Sequence, residues 1–157
     1  MSEVETVDRS RSSRIFALAD IRVLQELAQK ILVTAQRVEI LQEPEPSLVM
    51  MEVNDPVAGG SFYAGEVLLT SCQVLVNGRL GCATAVGDDE ERARASALLD
   101  AALEDPTTAP TLWDELEKEE RRIELTHRAE SALAARTRVQ FETMEDRDTG
   151  SDLRSRI

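Results

Sequence analysis

Glu66–Val76 (EVLLTSCQVLV), Asn77-Gly78 and Arg79–Val86 (RLGCATAV) form the stretch whose reading decides the fold. Two runs rich in Val, Leu, Thr and Ala flank Asn-Gly, the dipeptide that best tolerates positive φ at both centres of a type I′ turn. The spacing predicts a β-hairpin and fixes its register. With Val76 opposite Arg79, Leu75 faces Leu80, Gln73 faces Cys82 and Cys72 faces Ala83. Successive side chains point to opposite faces, so Cys72 and Cys82 are expected on opposite sides of the sheet and unable to form a disulfide. One face presents Cys72, Val74, Gly81, Ala83 and Ala85, small groups that let a helix approach closely. The other presents Leu69, Leu75, Leu80 and Val86 around Ser71, Gln73 and Thr84. Apolar content on both faces predicts a sheet covered on both sides, with one cover supplied by another chain.

Upstream, Arg14–Lys30 carries Ile15, Leu18, Ala19, Val23, Leu24, Leu27 and Ala28 at near-helical spacing, with Asp20 as a cap between two short helices. Residues 1–13 are polar and expected to fray. Gln36–Leu41 and Ser47–Val53 read as two short strands separated by the Glu43-Pro44-Glu45-Pro46 break. Asn54-Asp55-Pro56 and Gly59-Gly60 mark a loop.

Downstream, Gly87-Asp88-Asp89 ends the hairpin. Asp88 with Glu91 suggests a capping box for a helix carrying Ala93, Ala97, Leu98, Ala101 and Ala102, which should stop near Glu104 before Pro106. Thr111 then caps a long helix from Leu112 to about Phe141, on the order of 45 Å. Its apolar stripe is thin (Leu116, Ile123, Leu133, Val139), and Glu115, Glu117, Glu119, Glu120 and Glu124 read as a solvated face. Such a helix is stabilised best by lying across a partner. Residues 145–157 are a polar tail. The expected architecture is a single α+β domain over residues 14–144: a small antiparallel sheet with a central Asn-Gly hairpin, N-terminal helices and a long C-terminal helix.

Composition narrows the function classes. The 157 residues are 42% hydrophobic and 31% charged, with net charge −12. An acidic chain is a poor match for a nucleic-acid backbone, and suits docking onto a basic patch. No apolar run nears the roughly 20 residues that span a bilayer, and residues 1–14 do not resemble a signal peptide, so a cytoplasmic location is expected. One His (His127) and two Cys make no obvious zinc set. Gly60–Gly65 begins like a phosphate loop, but Glu66-Val67 stands where Lys and Ser/Thr are required. Cys72 reads as an inert mid-strand thiol, and Trp113 as a packing anchor. The residues themselves leave open an acidic dimeric adaptor built on the long helix, or a small enzyme using Cys72.

A set of motifs narrows this further. Phe62-Tyr63-Ala64-Gly65-Glu66, then Thr70, Cys72 and Val74, then Gly78, Gly81, Gly87 and Asp89, then Ala93 and Asp100-Ala101 resemble the phosphonate metabolism family PhnG. Near the end, Phe141, Thr143 and Met144 resemble the family's closing motif. The chain departs from that pattern at Ser71 and Asp88, where the family has arginines, and at Glu142, where it has a second aromatic. The resemblance implies an accessory subunit of the carbon–phosphorus lyase core complex, a two-fold symmetric hetero-oligomer with PhnI, PhnH and PhnJ. That complex supports replacement of the adenine of MgATP by a phosphonate, giving a ribose 1-phosphonate 5-triphosphate. MgATP is then used by the complex, and no cofactor, metal or catalytic residue is expected on this subunit.

Overall fold

Asn77 adopts φ 51° and Gly78 φ 81°, the paired positive values of a type I′ turn. A computed structural model describes residues 9–57 and 59–136. Its three strands are β1 (Val38–Asn54), β2 (Ser61–Val76) and β3 (Arg79–Val86), antiparallel in the order β1-β2-β3. The β2–β3 register is the expected one, Val76 opposite Arg79 through Cys72 opposite Ala83. Cys72 is buried and Cys82 exposed, and both are free thiols.

Among the described residues there are four helices: α1 (Arg9–Leu18), α2 (Ile21–Thr34), α3 (Glu90–Leu103) and α4 (Ala109–Arg136). α3 lies in the middle layer, packed on the sheet below and against α2 above, with α1 and α4 at its margins. It is therefore buried on nearly every side from Ala95 to Leu103. Alanine and glycine make that position possible. A Cβ added to Gly81 would lie 2.1 Å from the Ala97 carbonyl oxygen and 2.5 Å from the Ala101 nitrogen, so α3 rests on the bare backbone of β3. Around this contact Ile15, Leu24, Val74, Leu99, Leu103 and Leu116 form one continuous core.

Several expectations need correction. Residues 9–13 are helical, because Arg9 pairs with Glu104 at 2.7 Å and Arg11 with Glu120 at 2.6 Å, contacts that anchor the segment from across the chain. β1 is one strand running through Pro44 and Pro46. It lies at the sheet edge, where a proline's missing N–H removes no ladder bond, and register shifts between Ile40 and Glu45 absorb the mismatch. The α3 cap is Asp89, not Asp88: its carboxylate accepts the Arg92 N–H at 2.9 Å. α4 starts at Ala109, before Thr111, since Pro110 falls in the first turn, where no donor is needed. The glutamates of α4 are not all solvated. Glu119 is buried and accepts the Asp20 N–H at 3.2 Å, and Glu117 and Glu120 hold Arg11. Among the described residues the sheet is covered on the α3 side, and Leu80 and Val86 are exposed on the other.

Candidate interaction site

β3 stops at Val86, opposite Leu69, while β1 and β2 continue outward. From Leu48 opposite Leu68 to Asn54 opposite Ser61 the sheet is two strands wide among the described residues, a ribbon projecting beyond the helices. Its tip is closed by hydrogen bonds from the Asp55 N–H to the Gly60 carbonyl at 2.7 Å and from the Gly59 N–H to the Asp55 carbonyl at 3.1 Å. A register shift after Met51, beside Gly65 at φ 149°, brings Tyr63 opposite Glu52 and Phe62 opposite Val53.

Apolar side chains occupy both faces of this ribbon. By register, Leu48, Met50, Tyr63 and Leu68 share the face continuous with the α3 side of the sheet, whereas Val49, Met51, Val53, Phe62 and Val67 share the opposite one. Tyr63 is 66% exposed, Met50 57% and Phe62 53%. The second face runs on into the open side of the main sheet at Leu69, Leu75, Leu80 and Val86. A two-stranded ribbon is marginal alone in water, and clustered exposed apolar groups mark an interaction surface. The outer part of α4 has the same character. Every residue from Glu124 to Arg136 is exposed, including Leu125 and Leu133.

The expected motif residues divide into two sets. In the body, the Thr70 hydroxyl donates to the Gly87 carbonyl at 2.7 Å and accepts the Asp89 N–H at 3.2 Å, tying β2 to the start of α3. Asp100 accepts the Cys82 N–H at 2.9 Å and blunts the outer edge of β3. Burial pushes the Asp100 carboxyl above its ordinary range, opposed by that hydrogen bond and by Arg9. Cys72, Gly78, Gly81, Gly87, Asp89 and Asp100 thus build the scaffold. Phe62, Tyr63, Gly65 and Glu66 lie on the ribbon instead, far from that junction in the strand order. Phe141, Thr143 and Met144 lie outside the described residues. Sequence reading missed Arg92, whose guanidinium donates to the Phe16 and Ala19 carbonyls and closes the end of α1. It also missed the ribbon, although the unbroken apolar run Leu48–Met51 was its signal.

Reactive chemistry is sparse here. Burial pushes the Cys72 thiol above its ordinary value, with Arg94 only partly opposing, so the thiolate is disfavoured. His127 lies on the exposed half of α4. From Ser61 the phosphate-loop-like segment is extended β2 backbone paired with β1, which leaves no loop to wrap a phosphate. Among the described residues no group of three or more His, Cys, Asp or Glu could hold a metal ion, and no helix is long and apolar enough to cross a membrane. An open cleft of about 400 Å³ is lined by Ile31, Asn77, Ala102, Asp105 and Thr108, among others.

The sequence profile of the phosphonate metabolism protein PhnG matches residues 7–146, nearly the whole chain. The chain belongs to the PhnG family. Comparison with curated proteins found none that matches. Family membership gives this PhnG chain a role in phosphonate metabolism. The matched span includes the ribbon, the α3 scaffold and all of α4.

Proposed function

We propose that this PhnG-family chain is an accessory, non-catalytic subunit of the carbon–phosphorus lyase core complex. In this reading it joins PhnI, with PhnH and PhnJ, in a two-fold symmetric cytoplasmic assembly. The complex uses MgATP and a phosphonate to form a ribose 1-phosphonate 5-triphosphate, and this subunit supports the assembly without holding the nucleotide. The observation that carries the reading is the projecting ribbon, apolar on both faces, in a chain of a phosphonate-metabolism family. The exposed outer half of α4 adds a second surface suited to a partner. The buried, disfavoured Cys72 thiol agrees with a supporting role.

Co-expression with and without PhnI tests it. The chain is expected to co-elute with PhnI in a stoichiometric complex, and the complex with PhnH and PhnJ to consume MgATP only when this subunit is included. A well-folded monomer that ignores PhnI, with full turnover in its absence, would overturn the reading.

A further inference from the structure

The ribbon has a property that its apolar surface alone does not explain. Glu45, Glu52, Asp55 and Glu66 stand on or beside it, and neither Lys nor Arg occurs between Arg37 and Arg79. Glu45, Glu52 and Glu66 are exposed. Every fixed charge on the projection is therefore negative, interleaved with Met50, Met51, Val53, Phe62 and Tyr63. Two such ribbons brought together would set carboxylates against carboxylates, and like-charge juxtaposition disfavours that pairing. A second copy of this chain is the wrong partner for it.

At its base, Pro44 and Pro46 lie in the edge strand β1 and offer no N–H to an incoming strand. Recognition near the base thus falls on side chains. Because apolar groups stand on both faces, a flat docking surface would leave one of them in water. A slot covers both.

We infer that the ribbon Leu48–Leu68 inserts into a slot on a different polypeptide of the assembly, apolar where it meets Val49, Met51, Val53 and Phe62, and carrying Lys and Arg where it meets Glu52 and Glu66 beside Met50 and Tyr63. One wall of the slot extends over the open face of the main sheet toward Leu80 and Val86. Glu52 and Glu66, which register places on the α3-side face, steer the encounter and fix its orientation, while the buried aromatic and methionine side chains supply the lasting affinity. The inference rests on the subunit reading above for its choice of PhnI as probe.

The full-length chain is titrated against purified PhnI in three paired variants: Met50→Ser with Tyr63→Ser, Met51→Ser with Phe62→Ser, and Glu52→Lys with Glu66→Lys. Circular dichroism of each variant alone checks that the body, whose core these residues do not enter, stays folded. Each apolar pair is expected to weaken PhnI binding at least about tenfold, whichever face it removes. The charge-reversal pair should weaken binding about tenfold at low salt and less at high salt. Loss from one face only would overturn two-sided insertion, and unchanged binding in all three would remove the ribbon from the interface while leaving the subunit reading intact. A salt-independent effect of charge reversal would overturn the Lys and Arg of the slot. A homodimer dissolved by these substitutions would overturn the choice of a different polypeptide. Failure of the wild-type chain to bind PhnI overturns the subunit reading and, with it, this assignment.

Discussion

The hydroxyl of Thr70 donates to the Gly87 carbonyl at 2.7 Å and accepts the Asp89 N–H at 3.2 Å. One buried side chain in mid-β2 thereby holds both the end of β3 and the first turn of α3. Thr70→Val keeps the shape and removes both bonds, leaving a donor and an acceptor without partners. We expect a loss of about 1–3 kcal/mol in urea unfolding, together with faster hydrogen exchange at the Asp89 amide. A variant as stable as the wild type, with unchanged exchange, would show that the junction is held by packing alone.

Gly81 is a close contact between sheet and helix. A methyl there would meet backbone atoms of Ala97 and Ala101, which cannot move without shifting α3. Gly81→Ala should cost about 3 kcal/mol or more, or prevent folding, as judged by soluble yield and denaturant midpoint. Gly78→Ala has open space around it and strains only a positive φ, so its cost should be about 1 kcal/mol.

Asp100 is needed for its oxygen more than for its charge. Asp100→Asn can still accept the Cys82 N–H and removes a carboxylate whose ionisation burial opposes, so its stability should lie within about 1 kcal/mol of wild type. Asp100→Ala strips that acceptor and should lose about 1–3 kcal/mol. Chemical denaturation of the two variants side by side separates the cases. Equal losses would refute the hydrogen-bond account.

Asp20 provides a pH-dependent difference with a definite sign. Hydrogen bonds from the Arg22 side chain and backbone lower its pKa from 3.8 to about 2. Its native-state affinity for protons is below its unfolded one, so its charged form favours the folded state above the ordinary value. That contribution fades as pH falls from 3.8 toward 2. Asp20→Asn keeps a capping oxygen and discards the charge. The Tm of wild type should exceed that of the variant at neutral pH, and the gap should close across this window. A gap independent of pH would rule the ion pair out as its source.

The two thiols should differ in access. Cys82 is expected to react with a thiol reagent in the native protein, and Cys72 only after denaturation, in a titration that counts thiols before and after guanidinium. Rapid native labelling of both would contradict the burial of Cys72 beneath α3.

Local signals made much of this fold readable. Asn77-Gly78 sets the turn, and strand alternation then places Cys72 and Cys82 on opposite faces. The small residues of β3, met by Ala97 and Ala101, announce a close helix. Asp20 was legible as a cap because its neighbours in sequence are its partners in space. The scaffold half of the motif set entered by resemblance instead, and its contacts, such as Asp100 with the Cys82 N–H, join separate elements.

What escaped depends on partners distant in the chain. Whether Pro44 and Pro46 break a strand depends on having a neighbour on the N–H side, and only the strand order shows that β1 is an edge. Whether residues 9–13 fray depends on Glu104 and Glu120, which lie about a hundred positions away. The same holds for the glutamates of α4, whose sequence cannot tell a solvated face from a clamp on Arg11 and the Asp20 cap. The amino-acid order by itself therefore determined the hairpin, its register and the two faces it offers, because turn chemistry and side-chain alternation act between near neighbours. Only the tertiary structure decided that α3 covers one face, and that β1 and β2 outrun the body as an acidic, apolar ribbon. Coverage depends on where the helices end in space, and no local periodicity carries that information.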